Sequence, residues 1–214
     1  MIADNLKKVK SRIDSVEHDQ QVQLIAVSKA RSINEIQQAV DAGQMQFGEN
    51  HLQESLDKID SLEGKNLIWH FIGPIQSNKT ASIAEKFDWV HSIGRYKIAK
   101  RLSDQRSPKL SQLNVLLQVN IDREKTKSGF FLEDIEEIIP EIKKLPNISL
   151  RGFMCIPNPD NAAASFTKMD ELISKYHDLD TLSMGMSADL ELAIEKGATF
   201  VRVGNDIFGE REYN

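Results

Sequence analysis

The first stretch with chemical content is an apolar run that ends on an ammonium. Leu24-Ile25-Ala26-Val27 leads through Ser28 to Lys29, and four apolar residues between polar flanks read as a short buried strand. A lysine carried out of such a strand is costly unless it is paired, used or reaches solvent. In a partly dry cavity its pKa falls, which frees the amine as a nucleophile toward carbonyls. It can equally mark the point where the strand meets water. Far along the chain, two glycine-bearing stretches suit an anion: Ser183-Met184-Gly185-Met186-Ser187 and Val203-Gly204-Asn205-Asp206. Gly185 and Gly204 let backbone approach a ligand closely. Ser187 is placed to cap the next helix, whose open N–H groups attract negative charge. A plain capped helix after a glycine turn also accounts for either stretch alone. Arg202, two residues before Gly204, has no acceptor and stays charged. It must meet a carboxylate, with Asp206 or Glu210 at hand, or a lone pair on a ligand.

The remaining candidates are weaker. Glu49-Asn50 close a strand with a polar pair. His70 and His91 lack paired metal spacing and read as satisfied core residues, so no metal site is expected. Cys155, within Phe153-Met154-Cys155-Ile156, reads as a small buried hydrophobe. Lys79, Lys125 and Lys127 lie near predicted loop ends and read as solvated charges, with a second, weaker lysine adduct as the alternative.

Positioning these groups falls to a regular alternation of short apolar strands and amphipathic helices. Ile2, Leu6, Val9, Ile13 and Val16 form the stripe of an N-terminal helix, expected to dock on its own domain. Strands are predicted at about Val22 to Ser28, Met45 to Phe47, Leu67 to Ile72 and Trp89 to Ile93, then at Asn114 to Ile121, Ile148 to Ile156, Thr181 to Met184 and Phe200 to Val203. Ser32 and Glu35 form a capping box opening a helix that Gly43 closes. Helices are expected to about Leu62, from Ser77 to Phe87, Arg95 to Ser103, Leu132 to Lys144, Ala162 to Tyr176 and Ser187 to Lys196. Pro140 should kink its helix or end it early. Eight βα repeats without a long linker predict an α/β fold: a single (β/α)8 barrel over residues 1–214, with an extra N-terminal amphipathic helix. An open doubly wound sheet is the alternative.

Composition narrows the function classes. The chain has 214 residues, a formal net charge of -5 and one cysteine. That balance argues against a nucleic-acid footprint, and one cysteine excludes an intrachain disulfide framework. With neither a signal peptide nor a membrane-spanning run, a cytoplasmic protein is expected. An amine, an anion cradle and an arginine at one barrel mouth are what pyridoxal phosphate asks for. Other phosphorylated aldehydes or ketones satisfy the first two.

Ala26-Val27-Ser28-Lys29, Phe47-Gly48-Glu49-Asn50, the block from Trp69-His70-Phe71-Ile72-Gly73-Pro74 through Ile75-Gln76-Ser77-Asn78-Lys79, Ser183-Met184-Gly185-Met186-Ser187, and Val201-Arg202-Val203-Gly204 continuing to Gly209 resemble the pyridoxal phosphate homeostasis protein family. That family is similar to the N-terminal barrel of bacterial alanine racemases. The resemblance spans nearly the whole chain. It implies that Lys29 carries the cofactor as an internal aldimine and that Arg202 faces the pyridine nitrogen. It further implies that Ser187, Gly204 and Asn205 hold the phosphate with Met186 in the same loop, and that Asn50 lies near the ring 3-hydroxyl. Asn205 stands where the family pattern usually has threonine, and the segment from Asp160 to Asp180 is shorter than usual.

The resemblance leaves carrier and enzyme to be weighed. An arginine at the pyridine nitrogen makes the ring a poorer electron sink. Racemisation needs an acid/base on each face of the substrate carbon, and the racemase family takes its second base, a tyrosine, from an additional β domain. Here the chain stops soon after strand eight. Its tyrosines are Tyr96 and Tyr176 on predicted helices and Tyr213 in the tail. The expectation is a protein that holds pyridoxal phosphate and hands it on, with apo-enzymes as recipients. A weak racemase or transaminase, or a Schiff-base aldolase acting on a phosphosugar, is the alternative.

Overall fold

The computed structural model describes residues 1–210 and contains the expected alternation. After helix α1 (Ile2–Asp14) come β1 (Gln23–Val27), α2 (Ile33–Asp41), β2 (Gln46–Glu49), α3 (Leu52–Ser61) and β3 (Ile68–Phe71). The chain continues through α4 (Thr80–Lys86), β4 (Trp89–Ile93), α5 (Tyr96–Gln105), β5 (Leu113–Val119), α6 (Ile135–Lys143) and β6 (Ile148–Cys155). It ends in α7 (Ala162–Ile173), β7 (Thr181–Ser183), α8 (Leu190–Glu195), β8 (Phe200–Val203) and α9 (Asn205–Phe208). The strands pair in parallel, each with the next, and β8 returns to β1 to close a barrel. This is the (β/α)8 architecture. The strand register decides what shares the mouth. Ala26 lies opposite Val203 and Val27 opposite Gly48, so Lys29, Asn50 and Gly204 all leave their strands at the same rim.

Local chemistry explains most boundaries. Ser32 accepts from the Glu35 amide while Glu35 accepts from the Ser32 amide, and α2 ends before Gly43 at φ 82°. In α6, Pro140 is internal and the helix still runs on to Lys143, so the early end does not occur. The burial of Ile135, Ile139 and Ile142 along one face outweighs one missing N–H bond. The helix expected from Ser77 begins as a 3-10 turn over Ser77–Lys79. Tyr176 falls just beyond the end of α7.

Helix α1 is the addition to the barrel. Ile2, Leu6, Val9 and Ile13 are buried along one face, and Asn5 donates to the Ile207 carbonyl at 3.0 Å. The helix docks on its own domain, beneath the turn after β8. Its last turn carries Arg12, which reads from sequence as one more surface cation.

Candidate functional site

Lys29 is half-buried at the mouth, directly after Ser28, whose amide donates to the Gly48 carbonyl at 3.0 Å. Glu49, at the end of the neighbouring β2, is fully buried. The Ser28 hydroxyl donates to Glu49 Oε1 at 2.6 Å, and Lys58 Nζ of α3 donates to the same oxygen at 2.8 Å. Desolvation pushes the Glu49 carboxyl above its usual range, against the pull of Lys58. Among the described residues, Glu49 Oε2 and Asn50 Oδ1 are buried without a hydrogen-bond partner. A buried acceptor left unmade is costly, so Asn50 Oδ1 fits an arriving hydroxyl donor such as a ring 3-hydroxyl.

Arg202 points into the barrel and is buried. It meets neither Asp206 nor Glu210, which removes one of the two alternatives the sequence leaves open. It donates to Ser183 Oγ at 2.6 Å and to the Cys155 carbonyl at 3.0 Å. Side chains alternate along a strand, so an inward residue of β8 sees β6 and β7 rather than the loop that follows it. Burial lowers its pKa from the usual guanidinium range, and no described carboxylate forms an ion pair with it. A buried cation facing only neutral acceptors suits a further lone pair, such as a pyridine nitrogen.

Behind Arg202 runs a chain of hydrogen bonds across the barrel. Ser183 Oγ lies 2.8 Å from His91 Nδ1, His91 Nε2 lies 2.9 Å from His70 Nδ1, and His70 Nε2 lies 3.0 Å from Gln46 Oε1. Both ends demand the same direction. The guanidinium can only donate, and the amide oxygen of Gln46 can only accept. With single protons on each ring, His70 donates from Nε2 to Gln46, His91 from Nε2 to His70, and Ser183 to His91. Burial holds both imidazoles neutral, His70 down to about 3 and His91 well below its usual value. The histidines are therefore satisfied core residues, as their sequence context implies, and they are satisfied by each other.

The two anion loops lie beside this chain. Gly185 has φ 90°, and a Cβ there would stand 2.5 Å from the Ala193 methyl, so only glycine fits. A Cβ on Gly204 would lie 3.3 Å from the Val27 carbonyl, which brings this loop against the strand that delivers Lys29. Ser187 does not cap a helix. Helix α8 starts at Leu190 with Asp189 as its N-cap residue, because Asp189 Oδ1 accepts from the Met186 amide at 2.6 Å and draws residues 186–189 into a turn. Asn205 is exposed and opens α9. At six and four residues, α8 and α9 are short, so an anion there relies on individual amide N–H groups of the first turn more than on a helix dipole.

Arg12 ties the loops together, and nothing in its sequence position marks it for that role. It donates to Glu191 at 2.6 Å, to Asp206 at 2.7 Å and to the Ser187 carbonyl at 2.8 Å. One side chain from α1 thus clips the segment after β7 to the segment after β8. Arg12→Ala should weaken inorganic phosphate binding about three- to tenfold, the scale on which loosened positioning lowers affinity, as read by isothermal titration. Unchanged affinity would show that the loops hold their spacing without it.

Other expected candidates stay outside. Cys155 is fully buried, and burial pushes its thiol up to about 12, so it is no nucleophile. Lys79 and Lys125 are exposed. Lys127 is not simply solvated: it donates to Glu124 at 2.5 Å and to the carbonyls of Ile156 and Pro157 at 3.0 and 3.2 Å. It fastens the loop after β5 to the end of β6. A cavity of about 460 Å³ opens at the same mouth, lined by Asn50, Ser92, Arg95, Gln118 and Lys127 among others. No described helix is long and apolar enough to cross a membrane.

Comparison with known proteins bears on this geometry. Residues 1–212 match the family described as alanine racemase, N-terminal domain. The chain is 50% identical over 222 residues to a pyridoxal phosphate homeostasis protein of Pseudomonas aeruginosa, covering 99% of this chain and 96% of that one. It superposes on PipY of Synechococcus elongatus with PLP bound at a TM-score of 0.85 and 34% identity, covering 98% of this chain and all of that one. An alanine racemase of Corynebacterium glutamicum shares the fold at 17% identity and a TM-score of 0.71, with 99% of this chain matched to 61% of that enzyme.

Proposed function

Because the chain belongs to the pyridoxal phosphate homeostasis protein family, on the fold of the alanine racemase N-terminal domain, we propose that it binds pyridoxal 5′-phosphate and serves its homeostasis in the cytoplasm. It holds the cofactor on Lys29 and passes it on, without strong catalysis of its own. The observation that carries this reading is the meeting, at one mouth, of Lys29, the orphaned acceptor of Asn50 and a buried Arg202 that faces only neutral oxygens. When bound, the cofactor supplies an aldehyde that condenses with a primary amine and releases water. Lys29 supplies that amine. Met186, Ser187, Gly204 and Asn205 hold the phosphate, Asn50 accepts from the ring hydroxyl, and Arg202 donates to the ring nitrogen.

Two features favour holding over turnover. The Arg202 donor disfavours a proton on the ring nitrogen, which weakens the ring as an electron sink. A second acid/base is also lacking in the obvious places: Tyr96 begins α5, and Tyr176 packs its ring 5.9 Å from that of Phe153. Tyr213 lies outside the described residues. The mouth cavity beside Asn50 gives an incoming amine room to take the cofactor over, and apo-enzymes that use pyridoxal phosphate are the natural recipients.

The test is direct. Protein loaded with pyridoxal phosphate should absorb in the visible range, and borohydride should fix the cofactor to the peptide carrying Lys29. Single enantiomers of amino acids incubated with the loaded protein should racemise or transaminate no faster than with free cofactor. Robust turnover would replace the carrier reading with a racemase or transaminase. Fixation on another lysine would remove the site.

A further inference from the structure

On the reading that Lys29 carries the cofactor, we propose that Lys58 is a positioning residue for Lys29: its buried ammonium, acting with Glu49 and Glu54, holds both peptide groups that flank the cofactor lysine. Lys58 lies on α3 and is 3% exposed. Its Nζ donates to the Ser28 carbonyl at 2.7 Å, to Glu49 Oε1 at 2.8 Å, and to Glu54 Oε1. Three donors are all an ammonium has, so its capacity is filled.

The two ends of that set lie on either side of Lys29. The Ser28 carbonyl belongs to the peptide group before Lys29. The peptide group after it presents the Ala30 amide, which donates to Glu54 Oε1 at 2.6 Å. Ala30 has φ 58°, a left-handed conformation that a residue with a Cβ keeps only when its surroundings impose it. Glu54 imposes it, and Lys58 holds Glu54. The Ser28 hydroxyl adds a third tie through Glu49. Glu54 and Lys58 stand at the i,i+4 spacing typical of surface pairs on a helix, yet here the lysine is buried. A buried ion pair is weak support for stability in general, which makes orientation of Lys29 the better account of why the charges sit there. The amine of Lys29 is thus aimed through the backbone on both sides of it.

The test separates aiming from folding by using two ligands. Pyridoxal phosphate binds through ring, phosphate and amine condensation. Pyridoxine 5′-phosphate lacks the aldehyde and binds through ring and phosphate alone. Glu54→Ala should raise the dissociation constant for pyridoxal phosphate about tenfold, the scale on which a misplaced reacting group loses effectiveness. It should leave that for pyridoxine phosphate unchanged. Lys58→Met should do the same where it folds, and Glu54→Gln, whose amide oxygen still accepts from Ala30, should restore wild-type behaviour. The borohydride-fixed fraction at Lys29 should fall in parallel with the affinity. The Glu54 side chain is a third exposed, so its alanine variant carries the test if Lys58→Met does not fold. Equal losses for both ligands, or no loss for either, would overturn the proposal. If the wild type binds both ligands equally and fixes no lysine, the function reading has failed instead.

Discussion

Lys29→Ala should remain folded, lose the visible absorbance of the loaded protein, and hold pyridoxal phosphate about 100-fold more weakly, or roughly 3 kcal/mol. The ring and phosphate contacts come from other elements: Asn50 from the end of β2, Arg202 from β8, and the loops after β7 and β8. They survive the substitution and account for the residual binding. What disappears is the covalent link, and with it the slow release expected of a protein that stores a reactive aldehyde. Lys29 is half-buried at the end of its strand, so its removal should change stability by no more than about 1 kcal/mol. The measurements are equilibrium dialysis against pyridoxal phosphate, the spectrum before and after borohydride, and a thermal melt. A variant that stays as coloured and as reducible as the wild type would move the amine elsewhere on the chain.

The barrel is legible from sequence because each βα unit carries its own signals. Short apolar runs, a capping box at Ser32 and Glu35, and glycine after helices mark elements without reference to the rest of the fold. Parallel order then follows from the alternation, and closure from the count of eight. Lys29, Asn50 and Gly204 were predictable as neighbours for the same reason, since each follows a strand end at the mouth.

What sequence reading misses depends on contacts between distant elements. Sequence leaves Arg202 either a carboxylate close by in the chain, Asp206 or Glu210, or a lone pair on a ligand; strand geometry removes the first alternative by sending it toward Ser183 and Cys155, and Asp206 is taken by Arg12. Glu49 reads as a polar strand end, and nothing in the sequence pattern singles out Lys58. Only the seating of α3 against β1 and β2 makes them one buried cluster. A signal was available: Glu49 shares the helix-facing parity of Phe47, two residues earlier, and Lys58 follows Glu54 by four. A carboxylate buried between a barrel strand and its helix needs a cation, and Lys58 is one that the following helix supplies. Ser187 was misassigned because Asp189, two residues on, competes for the turn by accepting from the Met186 amide.

Acid should unfold the protein earlier than its surface charges alone would cause, because His70 and His91 are held neutral in the barrel. The His70 pKa lies at about 3 in the folded state, against about 6.5 in an unfolded chain. Between those values the unfolded chain binds a proton that the folded one refuses, so stability is complete above about pH 6.5 and falls as pH decreases toward 3. His70 alone contributes about 1.4 kcal/mol per pH unit across that window, roughly 2 kcal/mol by pH 5, and His91 acts in the same direction. For a domain of this size that is a loss of about 4–8 °C in melting temperature from His70 alone. Buried Glu49 and half-buried Asp88, both pushed upward by desolvation, act in the opposite sense near the ordinary carboxylate range, so the interval from pH 6.5 to 5 shows the histidine effect most cleanly. The direct observation is proton NMR of the five histidines: the two assigned to His70 and His91 should keep constant ring shifts from pH 7 to 5 while the fold persists. Ordinary titration of either ring near pH 6.5 in the folded protein would break the donor chain from Ser183 to Gln46. It would also place a second positive charge beside Arg202, an arrangement this barrel interior has no anion to balance among its described residues.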